Sequence, residues 1–149
     1  MLLYLQGHTR PELSFAVSQC ERFTFSPRKS HEQALKRIGR YLKGTRTEGL
    51  ILKPKSNYNI YCYVDADFSG LWNYEDTQDP TSVSSRTGYI IQVANCPIHW
   101  VSRLQNEIAL STMEDENVAM SNSMKDLIPI IDLVKEIFPS VGIEYTEPV

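Results

Sequence analysis

Tyr63-Val64-Asp65-Ala66-Asp67-Phe68-Ser69-Gly70 is the stretch on which the fold turns. Reading back from it, Ile60, Cys62 and Val64 alternate with Tyr61, Tyr63 and Asp65. That period of two predicts a half-buried strand with an acid near its end. Downstream, Thr87–Ala94 and Ile98–Leu104 predict two more strands joined by a tight Asn95-Cys96-Pro97 turn. Residues 69–86 between them read as a long polar, acidic loop, of the length that usually has a task. The period then changes near Ser111. Met120, Met124, Leu127, Ile131, Val134 and Phe138 recur at spacings of four and three, an apolar helical stripe. Pro129 lies inside it and predicts a kink or a break, while Pro139 and Gly142 end it. Ile143-Glu144-Tyr145 reads as the approach to another strand.

Upstream of the strand the pattern is helical. Thr9-Arg10-Pro11-Glu12 has the form of a capping box, and Leu13, Ala16, Val17, Cys20 and Phe23 follow at helical spacing, predicting a helix over about 9–23. Ser30-His31-Glu32-Gln33 opens a second, over about 30–43, with Leu35, Ile38 and Leu42 as its apolar stripe. Residues 45–57 read as a link around a short strand, Leu50-Ile51-Leu52. The expected fold class is therefore α+β: a helical N-terminal segment, 1–57, followed by an incomplete three-stranded sheet plus long helix, 58–149.

Composition narrows the function classes. With 42% hydrophobic and 22% charged residues, the 149-residue chain is globular rather than disordered. No apolar run approaches the roughly 18 residues of a membrane span, so no membrane partner is expected. The first six residues carry no basic stretch of the kind that opens a signal peptide. Cys20, Cys62 and Cys96 fit no zinc or redox spacing, and an odd, sparse count points to a reducing, intracellular compartment. Charge is divided: residues 1–60 hold eleven Lys/Arg against four Asp/Glu, a net +7, whereas residues 61–149 hold four against fourteen, a net −10. The basic part is a candidate for polyphosphate contact. Lys36, Arg40 and Lys43 lie at i, i+4 and i+7, on a helix face away from Leu35, Ile38 and Leu42.

Two acids could carry metal chemistry. Asp65 ends a hydrophobic strand, and Glu114 stands in Ser111-Thr112-Met113-Glu114-Asp115-Glu116, the opening of the long helix. A strand carboxylate beside a first-turn helix carboxylate can hold Mg²⁺, a hard cation that wants several oxygens. Ser111-x-x-Glu114 is equally a capping box, and first-turn acids are favoured by the helix dipole without any metal.

Four stretches together resemble the Pol polyprotein of copia-type retrotransposons, across the junction of reverse transcriptase and ribonuclease H. They are Thr9-Arg10-Pro11-Glu12-Leu13-Ser14-Phe15-Ala16-Val17; Arg40-Tyr41-Leu42-Lys43-Gly44-Thr45; Tyr63 to Gly70 with Ser85-Arg86-Thr87-Gly88-Tyr89; and Ile98-His99-Trp100 leading to Ala109-Leu110-Ser111-Thr112-Met113-Glu114-x-Glu116. The resemblance implies that residues 1–57 are the helical thumb and connection of a reverse transcriptase. It implies that residues 58–149 open a ribonuclease H-like domain. Asp65 and Glu114 would then be catalytic metal ligands for Mg²⁺ or Mn²⁺; independently of the resemblance, the shared face of Lys36, Arg40 and Lys43 is expected to meet nucleic-acid phosphates. The implied activity is hydrolysis of RNA in an RNA–DNA hybrid, within the remainder of a Pol polyprotein, in the cytoplasm or nucleus. Two departures bear on it. The helix motif of the family reads Glu-Ala-Glu-Tyr, and here it is Glu114-Asp115-Glu116-Asn117. The third acid of the family lies on a following strand, which is expected beyond this truncated fragment, so the chain alone is expected not to cleave. The alternative is a nucleic-acid-binding remnant without catalysis.

Overall fold

The computed structural model describes residues 1–55, 58–70 and 80–144, and divides the chain into two compact units, Met1–Ile51 and Leu52–Val149. Residues 71–79 of the expected acidic loop, and Tyr145 of the expected last strand, lie outside the described residues.

The first unit is helical. Helix α1, Leu2–His8, has no counterpart in the sequence reading. It closes on Leu5, whose carbonyl accepts the N–H groups of Thr9 and Arg10 at 3.0 and 2.9 Å. The expected helix over 9–23 is a 3₁₀ turn, Pro11–Leu13, running into α2, Ser14–Glu21. Pro11 sits at the start, where its missing N–H costs nothing. Thr9 does not cap; its hydroxyl bonds back to the Leu5 carbonyl. Helix α3 spans Lys29–Gly44, and the acceptor at its start is His31 Nδ1, which takes the Arg28 N–H at 3.0 Å. Ser30 is therefore inside the first turn rather than at the cap. Leu13, Val17 and Ile38 are buried together, with Leu2, Ala16, Cys20 and Leu42 packed around them. Leu35, expected in that stripe, is 43% exposed. Leu50-Ile51-Leu52 forms no strand, and Ile51 and Leu52 are exposed.

The second unit is a three-stranded sheet of order β1-β2-β3, antiparallel throughout, from β1 (Ile60–Asp67), β2 (Arg86–Val93) and β3 (Cys96–Leu104). The segment before β1 is tied to this unit, since Lys55 N–H donates to the Ala94 carbonyl at 3.0 Å. The β2–β3 turn is Ala94-Asn95, both at positive φ (52° and 65°), the pairing that the right-handed strand twist favours. The expected turn sat one residue later. Cys96 and Pro97 instead open β3, and Pro97 is tolerated because β3 has a neighbour on one side among the described residues. The pairing slips there, from Ile91 with His99 to Gln92 with Pro97.

Helix α4, Thr112–Ser140, continues through Pro129 without the expected break. A proline inside a helix costs about 3 kcal/mol. Against that, Leu127, Ile130, Ile131, Val134 and Phe138 pack from both sides of Pro129's turn onto Ile60, Tyr89 and Ile91 of the sheet, each worth about 1.5–3 kcal/mol when buried. The helix ends where expected. Gly142 takes φ +75° and donates to the Pro139 carbonyl, and Ile143 N–H donates to that of Phe138 at 2.9 Å, a Schellman closure.

Candidate metal centre and nucleic-acid interface

Strand alternation places the first candidate acid. Ile60, Cys62 and Val64 turn to the α4 side, so Tyr61, Tyr63, Asp65 and Asp67 line the other, exposed face of β1. Asp65 pairs with Gly88 and Asp67 with Arg86. The Asp67 carboxylate folds over the following turn: a Cβ on Gly70 would lie 2.1 Å from both of its oxygens. Glycine is therefore what leaves room for that carboxylate.

The helix start is where the structure separates neighbours that the sequence leaves equivalent. Ser111 caps α4, its hydroxyl accepting the Glu114 N–H at 3.2 Å. The Glu114 carboxylate returns the bond, accepting the Leu110 N–H at 2.7 Å. Glu114 is thus occupied as a capping-box acid, and Glu116 is exposed. Between them, Asp115 is fully buried, and neither of its carboxylate oxygens has a hydrogen-bond partner among the described residues. Gln105 braces the backbone beside it, donating from Nε2 to Thr87 Oγ1 at 3.0 Å and to the Asp115 carbonyl at 3.1 Å. Burial pushes the Asp115 carboxyl above the usual carboxylate range; the Ser85 and Gln105 side chains, close by though outside hydrogen-bonding geometry, pull it back, and the negative charges of Asp67 and Asp65 raise it again. The sequence carries no signal for it: Asp115 shares its buried face with Ala119 and Ser123, whereas the apolar periodicity runs through Met120 and Met124.

Carboxylate oxygens are the right donors for Mg²⁺, and the two orphaned oxygens of Asp115 have capacity to spare. The number is short, however: among the described residues no group of three His, Cys, Asp or Glu side chains is gathered as a cation would need. The donor set present does not fit a complete metal site, least of all the paired ions of two-metal hydrolysis.

In the helical unit, Lys36, Arg40 and Lys43 are all exposed on α3, as their spacing predicts. Lys36 Nζ pairs with Glu32 at 2.5 Å. Lys36 and Arg40, with Arg37, line a trough between α2 and α3 of about 720 Å³; Lys43 does not. Arg10 is a strut rather than part of a cap. It meets Glu12 at 2.5 Å and Thr45 Oγ1 at 2.6 Å, with Tyr41 beneath its guanidinium.

A second polar cluster escaped the sequence reading, which found His99 without a partner. Tyr89 donates its hydroxyl to Asp126 Oδ2, and His99 Nε2 lies 3.1 Å from the same oxygen. The Tyr89 hydrogen bond, against some cost of burial, and then His99 hold the Asp126 carboxyl below the usual carboxylate range. The three cysteines are free, and burial raises the Cys20 and Cys62 thiols, which keeps them protonated. Among the described residues no helix is long and apolar enough to cross a membrane.

Comparison with known proteins places these features. The chain is 35% identical over 147 residues to the retrovirus-related Pol polyprotein from transposon RE1 of Arabidopsis thaliana, covering 99% of the chain and 9% of that protein. It is 35% identical over 136 residues to the Pol polyprotein from transposon TNT 1-94 of Nicotiana tabacum, covering 91% of the chain and 10% of that protein. It is also 35% identical over 127 residues to the secreted RxLR effector protein 161 of Plasmopara viticola, which it matches over 84% of that protein's length. No family model and no solved structure matches the chain.

Proposed function

The chain belongs to the family of Pol polyproteins of copia-type retrotransposons, of which it spans about a tenth, and from that premise we propose that it is a piece of the reverse transcriptase–ribonuclease H region. Residues 58–149 are read as the opening of a ribonuclease H-like domain whose ancestral activity is hydrolysis of RNA in an RNA–DNA hybrid. Residues 1–57 are read as the helical segment that precedes it. The observation that carries this reading is the order of elements, a strand bearing Asp65, two further antiparallel strands and a long helix opening on acids, in a chain 35% identical over 147 residues to a transposon Pol polyprotein.

In that role Asp65 contributes a carboxylate from a rigid strand, on the face of β1 turned away from α4, and a second carboxylate would have to reach it from the opening of α4. Glu114, the acid expected there, is free for this task only if it leaves the Leu110 N–H. Mg²⁺ or Mn²⁺ would supply Lewis-acid chemistry at the scissile phosphate. With no group of three acids gathered among the described residues, the chain by itself is expected not to cleave.

The test has two arms. Purified chain is incubated with a labelled hybrid in Mg²⁺ and in Mn²⁺, beside Asp65→Asn; cleavage that vanishes in the variant would overturn the prediction of inactivity. Residues 58–149 are also exchanged into a full-length relative. Hybrid cleavage retained there, and lost on adding Asp65→Asn, supports the reading; cleavage indifferent to Asp65 removes it.

A second reading, nucleic-acid binding without catalysis, is favoured by the exposed row of Lys36, Arg40 and Lys43. Each phosphate contact would add about −0.7 to −0.9 to the slope of log affinity against log salt. Replacing all three with Gln should flatten that slope, and an unchanged slope leaves them as a solvated surface.

A further inference from the structure

We propose that the trough between α2 and α3 is a docking groove for an acidic amphipathic helix of a partner protein. Its floor is apolar and small: Ala16 and Cys20 on α2 face Ala34 and Ile38 on α3. Each pair is spaced i, i+4, so each lies on one helix face, and the small side chains leave about 720 Å³ open between the two helices. The cations stand on one wall only. Lys36, Arg37 and Arg40 all belong to α3, whereas α2 contributes the neutral Gln19. Arg37 and Arg40 form no ion pair among the described residues.

This asymmetry selects the occupant. A phosphodiester backbone would satisfy the three cations but set its charge against an apolar floor that cannot solvate it. An amphipathic helix satisfies both. Apolar side chains at i, i+3, i+4 and i+7 enter the trough, and a row of carboxylates along one flank meets the α3 wall. The proposal stands apart from the ribonuclease H reading. It does imply competition, because a docked helix would take Lys36 and Arg40 away from any nucleic acid lying on them.

The experiment uses the full chain and three probes: a synthetic helical peptide with Leu at those four positions and Glu along one flank, the same peptide with each Leu replaced by Ser, and a DNA duplex. The expected result is peptide binding about tenfold or more tighter than the Ser control. Ala34→Tyr fills the floor at an exposed position and should abolish peptide binding while sparing any duplex binding. Arg37→Glu with Arg40→Glu should abolish peptide binding too, with circular dichroism confirming that both variants fold. Equal binding of the Leu and Ser peptides, or peptide affinity unmoved by Ala34→Tyr, overturns the proposal. So does binding of the duplex alone. Self-association of the unliganded chain that Ala34→Tyr abolishes would assign the groove to a second copy and overturn it as well.

Discussion

The sheet unit and the helical unit surround their buried residues to different extents. In the sheet unit Ile60, Tyr89, Ile91 and Val134 are closed over by eight further hydrophobic side chains from all three strands and α4. In the helical unit three residues, Leu13, Val17 and Ile38, have four such neighbours, and a trough runs along two of its helices. The sheet is thus held by its interior. The helices lean more on polar struts, Arg10 to Glu12 and Thr45 above all. The lesson is that a buried defect should be costly in one unit, and a surface change readable in the other.

The sharpest way to break the comparison is Ile91→Ala. Ile91 is fully buried at the centre of β2, and its truncation should cost about 2–5 kcal/mol. Amide exchange should show the loss throughout β1 to β3 and α4, with protection in α3 unchanged; loss in both units would mean that they unfold as one. Next comes Asp115. Replacing its buried, unpartnered carboxylate with Asn should stabilise the sheet unit by about 1–3 kcal/mol at neutral pH. The sign follows from linkage. With the folded carboxyl raised above its unfolded value, Asp115 favours the fold at low pH, and that contribution is lost as pH rises through the raised value. The gain in Asp115→Asn should therefore shrink on acidification, as chemical denaturation at two pH values would read.

Tyr89→Phe sharpens the contrast at a smaller scale. It removes one hydrogen bond to a carboxylate, worth about 1.5 kcal/mol. Because Asp126 is lowered in the fold, its contribution is present at neutral pH and lost as pH falls through the lowered value, opposite to Asp115. Stability of Tyr89→Phe should accordingly converge on that of the parent chain in acid. The smallest effect is expected in the helical unit, where Lys36→Gln breaks an exposed i, i+4 pair with Glu32 and should cost no more than about 0.5 kcal/mol.

Element types were legible wherever periodicity was strong. Strand β1 follows from alternation at Ile60–Val64 and α4 from the stripe of Leu127 to Phe138, whereas Met120 and Met124, expected in that stripe, are exposed. What escaped depended on contacts distant in sequence. Arg10 reads locally as part of a helix start, and only Thr45, thirty-five residues on, makes it a strut. His99 lacks a ligand-spaced neighbour because Asp126 reaches it from another element. Leu50-Ile51-Leu52 has strand composition and no partner strand. At the opening of α4 the motif singled out Glu114, which caps the helix, and gave no sign that its neighbour Asp115 is buried. Which carboxylate is buried depends on the roll of α4 over the sheet, and Asp115 shares its face with Ala119 and Ser123.

The order β1-β2-β3 also dictates a sequence of events in time. Strands β2 and β3 need only the Ala94-Asn95 turn to meet, so their hairpin closes at small entropic cost. Strand β1 can register against β2 only after the chain between Asp67 and Arg86 has closed on itself, and closure entropy grows with the logarithm of the number of residues enclosed. The hairpin should therefore nucleate, and the strand bearing Asp65 should join late. Mutations in β1 would then speed unfolding more than they slow folding. The carboxylates of Asp65 and Asp67 would then be among the last side chains to reach their places and the first to leave them.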